Sequence, residues 1–328
     1  MATLLAYGAY LPRYRIPVKE LHGFYGRPGR PRSRTLATPG LDEDPITMAY
    51  EAGRQALAGG ETPKAVLTVS QAPPFGLRKM SGTLANALSL DGVVPLDVGG
   101  HPGGLLDAIG VAGLMAEAGV GPVLVVATDH LVAYEDKVAD MLSAGGAAAF
   151  LVGADGGFAN LGPEARSYDE VFDVWRLGTE PEARYRLEVL FGAYGNAAKG
   201  ALADLEKATG KSTDSYDAVA ASQPHPNAVR GLGRLGVTKE QQQATSFVGE
   251  IGNIGAASVG FALALALDAA EAGQSILVFG YGSGEGIAQA IDVTAAPPAI
   301  GAAEQIAGVD IDLSTYYRWT RGRQQEPH

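Results

Sequence analysis

The chain has 328 residues, 46% of them hydrophobic and only 19% charged, ample for a buried core in one large or two ordinary domains. A formal net charge of −11 excludes a general affinity for nucleic acid or anionic membrane, since both need a basic field to displace counterions. The lack of cysteine removes disulfides, zinc–thiolate sites and thiol catalysis together.

Abundant glycine and alanine suit small-residue helices packed closely on sheets, so a compact α/β fold is expected. In chain order, residues 2–10 read as a first strand, and 12–18 as a turn leading into a second extended segment. Residues 23–40 carry Arg27, Arg30, Arg32 and Arg34 among Gly and Pro. No regular structure is expected there, and positive charge is concentrated on an acidic protein. Asp44 followed by Pro45 is an N-cap with proline at the first helical position, opening a helix through Leu57. Residues 65–70 read as a buried strand and 84–90 as helical, and 95–99 lead into the turn Gly99-Gly100-His101-Pro102-Gly103-Gly104. The helix that follows to Ala118 intersperses Leu105, Leu106, Ile109, Leu114 and Met115 with Gly and Ala, as a helix buried between layers does. Residues 122–128 and 145–153 read as strands covered on both faces.

Residues 164–186 are a charged stretch continuing into a long helix to about Thr209. Residues 217–221 read as a strand, followed by a His/Pro-rich turn and a helix to Leu235. A second Ala-rich buried helix is expected over 255–272 and a final core strand over 275–281. Each half thus carries a strand, a Gly-rich turn, a buried small-residue helix and a strand, a faint internal repeat. From Ala295 the tail is Pro/Ala-rich, then polar, and it ends in an aromatic cluster, Tyr316-Tyr317-Arg318-Trp319, of the kind that docks on something. Residues 1–10 have no basic lead or cleavage pattern, and no apolar run reaches about 18 residues, so a cytoplasmic protein that does not enter the membrane is expected. The histidines (22, 101, 130, 225 and 328) are too scattered for a self-contained metal site.

Five stretches carry a resemblance: YGAYLPRYRI (7–16), DEDPITMAYEAGRQAL (42–57), SAGGAAAFLVG (143–153), GNIGAASVG (252–260) and VFGYGSGEG (278–286). In order and spacing they resemble the archaeal type of 3-hydroxy-3-methylglutaryl-CoA synthase and, more distantly, β-ketoacyl-carrier-protein synthase III. The resemblance implies a thiolase fold, a five-layered αβαβα α/β architecture built from two similar halves around a central buried helix pair. It also implies a homodimer and an acyl-CoA or acyl-carrier substrate. The halves are expected at 1–163 and 164–294, with 295–328 as a tail that docks a partner.

The catalytic positions depart from the family pattern. Its attacking Cys falls at Pro102, its acid/base Glu at Gln71 and its His at Ser222, which leaves His225 where an Asn is expected. Proline has no nucleophile, and an amide exchanges no proton at a useful pKa. Asn253 matches the hydrogen-bond donor to the thioester carbonyl, and Tyr281 falls in a turn lining the pocket. The resemblance therefore implies that an acyl-CoA-shaped cavity is kept while condensation through a cysteinyl thioester is lost.

The residues that remain for chemistry are His101, His225 and Asn253, as bases or as donors to a thioester enolate. Each has a plainer reading: His101 caps its turn, His225 sits in a Pro-rich loop, and Asn253 tolerates a left-handed bend. His130 is more readily structural, and His22 and His328 are expected at the surface. The arginines at 27, 30, 32 and 34 are expected to clamp CoA phosphates, against the plainer reading of a solvated loop.

Three functions are open. One is an aldol or retro-aldol enzyme acting β to a CoA thioester, with no bound cofactor, paired with an OB-fold/zinc-ribbon protein because TYYRWTRGRQQEP resembles the joining segment of fused relatives. A second is a non-catalytic subunit of a complex containing such a partner and an active thiolase-like enzyme. The third, an acyltransferase using Ser222, suffers from the lack of an adjacent base.

Overall fold

A computed structural model of the chain describes residues 1–131, 137–177 and 183–322. The first half follows from three apolar runs and one strong helix start. β1 (Thr3–Tyr10) leads through an arginine-bearing loop to α1 (Pro45–Ala56). At the helix start the Asp44 carboxylate accepts from Thr47 N at 2.8 Å and Thr47 Oγ1 accepts from Asp44 N at 2.7 Å. This reciprocal box satisfies two otherwise orphaned donors and fixes the boundary. β2 (Ala65–Val69), α2 (Met80–Ala87), β3 (Val94–Asp97), the buried helix α3 (Gly104–Glu117), β4 (Val123–His130) and β5 (Gly145–Gly153) complete the half.

The second half repeats the scheme with β6 (Ala159–Tyr168), α4 (Leu187–Thr209), β7 (Ala218–Ala221), α5 (Ser258–Ala269), β8 (Ser275–Gly282) and β9 (Glu285–Val293). Sheet order is β7-β8-β9-β6-β1-β5-β4-β2-β3. Within it, β3-β2-β4-β5-β1 and β7-β8-β9-β6 have the same sense: parallel outer pairs, then antiparallel neighbours. They join through a short β1–β6 contact at Thr3 and Leu4.

Three apolar clusters give the layers. One packs α1 and α2 on the first half-sheet, another packs α4 on the second, and the largest holds α3 and α5 between them. Ten of the twelve residues of α5 are buried, each large aliphatic or aromatic side chain contributing about 1.5–3 kcal/mol. α3 and α5 approach closely because Gly260 faces Leu105: a Cβ there would stand 2.6 Å from Leu105 Cδ2 and 2.7 Å from Ala148 Cβ. This is the five-layered αβαβα thiolase arrangement of two similar halves.

Several local expectations change. Residues 164–168 belong to β6, so the junction expected at 163/164 falls inside a strand. Thr35–Thr38 form a strand paired with Tyr14–Pro17 inside the stretch expected to be irregular. β8 is followed by β9, α2 starts four residues before its expected position, and α5 opens with a 3₁₀ turn at Gly255–Ala257. The tail forms α6 (Leu313–Gly322), whose Tyr316 joins the main core rather than standing outside it. Among the described residues no helix is long and apolar enough to cross a membrane.

Candidate active site

The parallel strands β2, β4, β7 and β8 end on one side of the molecule, the place where open α/β sheets present ligand sites. Beyond these ends lies a cavity lined by Gln71, Pro102, Asp173, Ser222, Asn253 and Tyr281 among others. Every position that resembles a family catalytic residue is therefore on one wall or another of the same space. That space is small, about 20 Å³, enough for one water-sized body.

Its polar walls are tightly organised. Asp129, at the end of β4, is wholly buried and takes five hydrogen bonds. Oδ1 accepts from Ser70 Oγ and Gln71 N at 2.8 Å and from Ala72 N at 3.2 Å; Oδ2 accepts from Gln71 Nε2 at 2.9 Å and Ala256 N at 2.6 Å. Burial pushes this carboxyl upward in pKa, while the Ala256 amide, Ser70 and Gln71 oppose it. With its amide nitrogen held by Asp129, Gln71 is left with Oε1 as a neutral acceptor. Gly255 has φ +61°, and a Cβ there would lie 2.2 Å from Asp129 Oδ2, so only glycine lets the turn close on the carboxylate.

Asn253 Oδ1 accepts from Gly255 N at 2.9 Å, and its backbone is held by Leu142 O and Ala144 N. The side-chain NH₂ has no partner among the described residues and borders the cavity as a donor. Ser222 Oγ accepts from Tyr281 N at 3.1 Å, and among the described residues no imidazole lines the cavity to activate it, which leaves the acyltransferase reading without a base there. Gln223, beside it, spends both side-chain atoms on backbone at Thr245, Phe247 and Val248.

The two histidines do not converge. His101 turns away from the cavity: Nε2 meets Asp107 Oδ2 at 3.1 Å and Nδ1 accepts from Gly103 N at 3.3 Å. Its ring fills space left by glycine, since a Cβ on Gly282 would lie 2.7 Å from Nδ1. Asp107 in turn binds Arg166 at 2.5 Å, which also reaches Glu164 and Glu285 at 2.7 and 3.0 Å. Burial alone would raise the Asp107 pKa, but His101 and Arg166 more than offset it and hold it below the ordinary value. His101, Asp107 and Glu285 have ligand atoms within 4.8 Å of one another, yet the Arg166 guanidinium already binds both carboxylates.

His225 lines a second, larger cavity of about 420 Å³, together with His22, Arg27, Arg30, Arg32 and Phe191. It is the N-cap of the helix Pro226–Gly231, and Nδ1 accepts from Asn227 N at 3.0 Å. Desolvation, with Arg32 and Arg230 nearby, lowers its pKa to about 4. The ring is therefore neutral near pH 7, with its remaining N–H on Nε2. His22, expected at the surface, is half-buried in this wall. Arg34, the fourth of the arginine cluster, instead borders a separate groove and pairs with Glu250 at 3.6 Å. His130 ends β4 opposite Gly145, and His328 lies outside the described residues.

Sequence reasoning missed Asp173. It is buried, its Oδ2 accepts from Tyr281 OH at 2.5 Å and its Oδ1 from Val174 N at 2.7 Å, and it lines the small cavity. It also missed Asp129, although the ATDH stretch that drew attention to His130 contains it. A buried acidic residue at a strand end was the available signal.

No protein-family profile matches the chain. Among known proteins, a hydroxymethylglutaryl-CoA synthase of Aeropyrum pernix is 31% identical over 306 residues, 87% of this chain and 82% of that one. The hydroxymethylglutaryl-CoA synthase of Methanocaldococcus jannaschii is 29% identical, covering 90% and 89%. The fold matches an HMG-CoA synthase solved in complex with CoA, with a TM-score of 0.87, 17% identity and coverage of 97% and 89%. It also matches the HMG synthase of curacin biosynthesis in complex with an acetyl donor-ACP (TM-score 0.82, 19% identity, 97% and 88%). A third match is the priming β-ketosynthase of the R1128 polyketide pathway (TM-score 0.79, 22% identity, 91% and 97%). With this likeness over most of its length and no cysteine, the chain belongs to the hydroxymethylglutaryl-CoA synthase family with the residues at the catalytic Cys, Glu and His positions replaced.

Proposed function

We propose that the protein binds a CoA thioester, or the same thioester on a carrier protein, and makes or breaks a carbon–carbon bond β to the thioester without an acyl-enzyme. The observation that carries this reading is the pairing of two cavities on one side of the fold. The larger has Arg27, Arg30 and Arg32 at its rim and a neutral imidazole N–H in its wall, suited to phosphate oxygens. The smaller has the Asn253 amide and Gln71. Leu187 and Phe191 in one wall and Leu190 in the other place both cavities against the start of α4. In a retro-aldol step a base takes the β-hydroxyl proton, the Cα–Cβ bond breaks to give a carbonyl, and the pair becomes an enolate whose oxygen Asn253 can stabilise. Reprotonation at Cα closes the balance.

Binding is tested by thermal shift and calorimetry with CoA, dephospho-CoA and pantetheine. CoA should raise the melting temperature, and Arg32→Ala should weaken CoA several-fold while leaving pantetheine unchanged. No shift at millimolar CoA would sink the reading, because a ligand held only by the native state must stabilise it.

One observation favours the second reading, a non-catalytic subunit. The cavity of about 20 Å³ holds no acyl chain unless the wall of Val174, Tyr185 and Leu190 yields. Saturable CoA binding with no turnover of any 3-hydroxyacyl-CoA would select it. A homodimer is supported by the edge strand β3, where Val94 and Leu96 are exposed. Sedimentation, and native mass spectrometry after co-expression with an OB-fold/zinc-ribbon protein, test both partners.

A further inference from the structure

We infer that Asp173 is the proton-transferring group of this site, with Tyr281 as its positioning partner. The inference rests on the reading that a thioester reaches the small cavity, and it replaces the two histidines, neither of which borders that cavity.

The family's acid/base position holds Gln71, whose amide is tied to Asp129 and carries no exchangeable proton of useful pKa. Asp129 is itself enclosed by five donors and by the Gly255 turn, so a substrate atom cannot reach it. Ser222 and Asn253 do not titrate in the useful range. Asp173 is left as the carboxylate among the described residues that line the cavity.

Its geometry suits the role. The carboxylate arrives from outside the repeated core, on the segment between β6 and the short strand Val174–Trp175, and is buried to 1% exposure. One oxygen is oriented by Val174 N and the other by the Tyr281 hydroxyl, leaving lone pairs on each for a further proton. Tyr281 is held from behind: its ring meets Tyr194 edge-on at 5.2 Å and its backbone N–H donates to Ser222. Burial, reinforced by Asp173, raises the Tyr281 pKa, so it stays a phenol and a donor at neutral pH. Asn253 offers its amide to the same cavity, giving an acceptor for a proton and a donor for an oxyanion in one enclosed space.

The elementary step is enolisation. Asp173 takes a proton from Cα, the C–H electron pair moves onto the thioester carbonyl oxygen, and Asn253 donates to that oxygen. The same carboxyl then returns a proton to Cα. In D₂O, once the carboxyl has exchanged with solvent, the returned particle is a deuteron. Nothing is oxidised or reduced, and no group leaves.

The test is deuterium incorporation at Cα of acetyl-CoA in D₂O, followed by mass spectrometry with the full-length protein. The native protein should exchange above the buffer rate. Asp173→Asn should lower that rate at least about 100-fold with the CoA-induced thermal shift intact, and Asp173→Glu should recover part of it. Tyr281→Phe should lower the exchange rate without weakening acetyl-CoA binding, because the carboxylate loses the hydroxyl that orients it. A merely structural role would not separate rate from binding. Exchange in Asp173→Asn equal to the native rate, or native exchange equal to buffer with CoA still binding, overturns this inference and leaves the CoA-binding reading standing. Absence of any CoA-induced shift overturns both.

Discussion

His225 caps a helix of six residues with the ring nitrogen that would otherwise take up a proton. Desolvation, then Arg32 and Arg230, bring its pKa down from 6.5 to about 4. Between those values the unfolded chain binds more protons than the folded one, so stability rises with pH across the window and is flat above it. The melting temperature should therefore fall as pH is lowered from about 6.5 toward 4. His225→Asn, which keeps an N-cap acceptor, should remove part of that slope; an unchanged slope would assign it to other groups. Gln71, Pro102, Ser222 and Asn253, which line one cavity, share one feature, a place next to a strand end or helix start within a recognisable motif. Which way a side chain points was not legible. His101 stands beside Pro102 in sequence, yet Asp107 and the surrounding glycines turn its ring outward. Asp173 lies in an irregular stretch, and only the fold of the second half brings it to the cavity.

Elements were legible where the signal was local. The Asp44–Thr47 box fixed a helix start, and the apolar runs of β4, β5 and β8 marked strands buried on both faces. β6 was hidden because Glu164 and Arg166 look solvated in sequence, whereas in the fold Arg166 binds Asp107 of α3 and Glu164 pairs with Arg166. β9 was hidden by reading the glycines near Tyr281 as a pocket turn. Ser283 and Gly284 have φ 53° and 82° between the paired Gly282 and Glu285, the two left-handed residues that a tight hairpin with matching twist requires. The layers approach closely at Gly8 of β1, where a Cβ would stand 2.1 Å from Ala52 O of α1. A carbonyl inside a helix cannot move aside alone, so Gly8→Ala should cost about 1–3 kcal/mol in urea denaturation. Gly59→Ala, in open space, should change little by comparison. Equal effects would show that α1 can slide on the sheet.

At the scale of the whole molecule, the C-terminal helix closes back on the first half. Asp140, 3% exposed, accepts from Tyr25 OH at 2.5 Å, from Tyr316 OH at 2.9 Å and from Tyr317 OH at 3.3 Å. The aromatic tail is thus docked on its own chain. Tyr25 precedes the arginine loop, while Met141 and Leu142 beyond Asp140 line the larger cavity. Leu142 O accepts Asn253 N at 2.7 Å, so a continuous run of contacts joins α6, the arginine pocket and the Asn253 donor. Tyr316→Phe removes one donor to a buried carboxylate without changing shape, and should cost about 1.5–3 kcal/mol. Removing the Tyr25 and Tyr317 hydroxyls as well should cost more than the sum of the single changes, since the three hydroxyls share one buried carboxylate and their effects couple. If this contact run also sets the pocket, the triple variant should weaken CoA binding at temperatures where it remains folded. Full stability loss with unaltered CoA affinity would instead confine α6 to holding the fold closed.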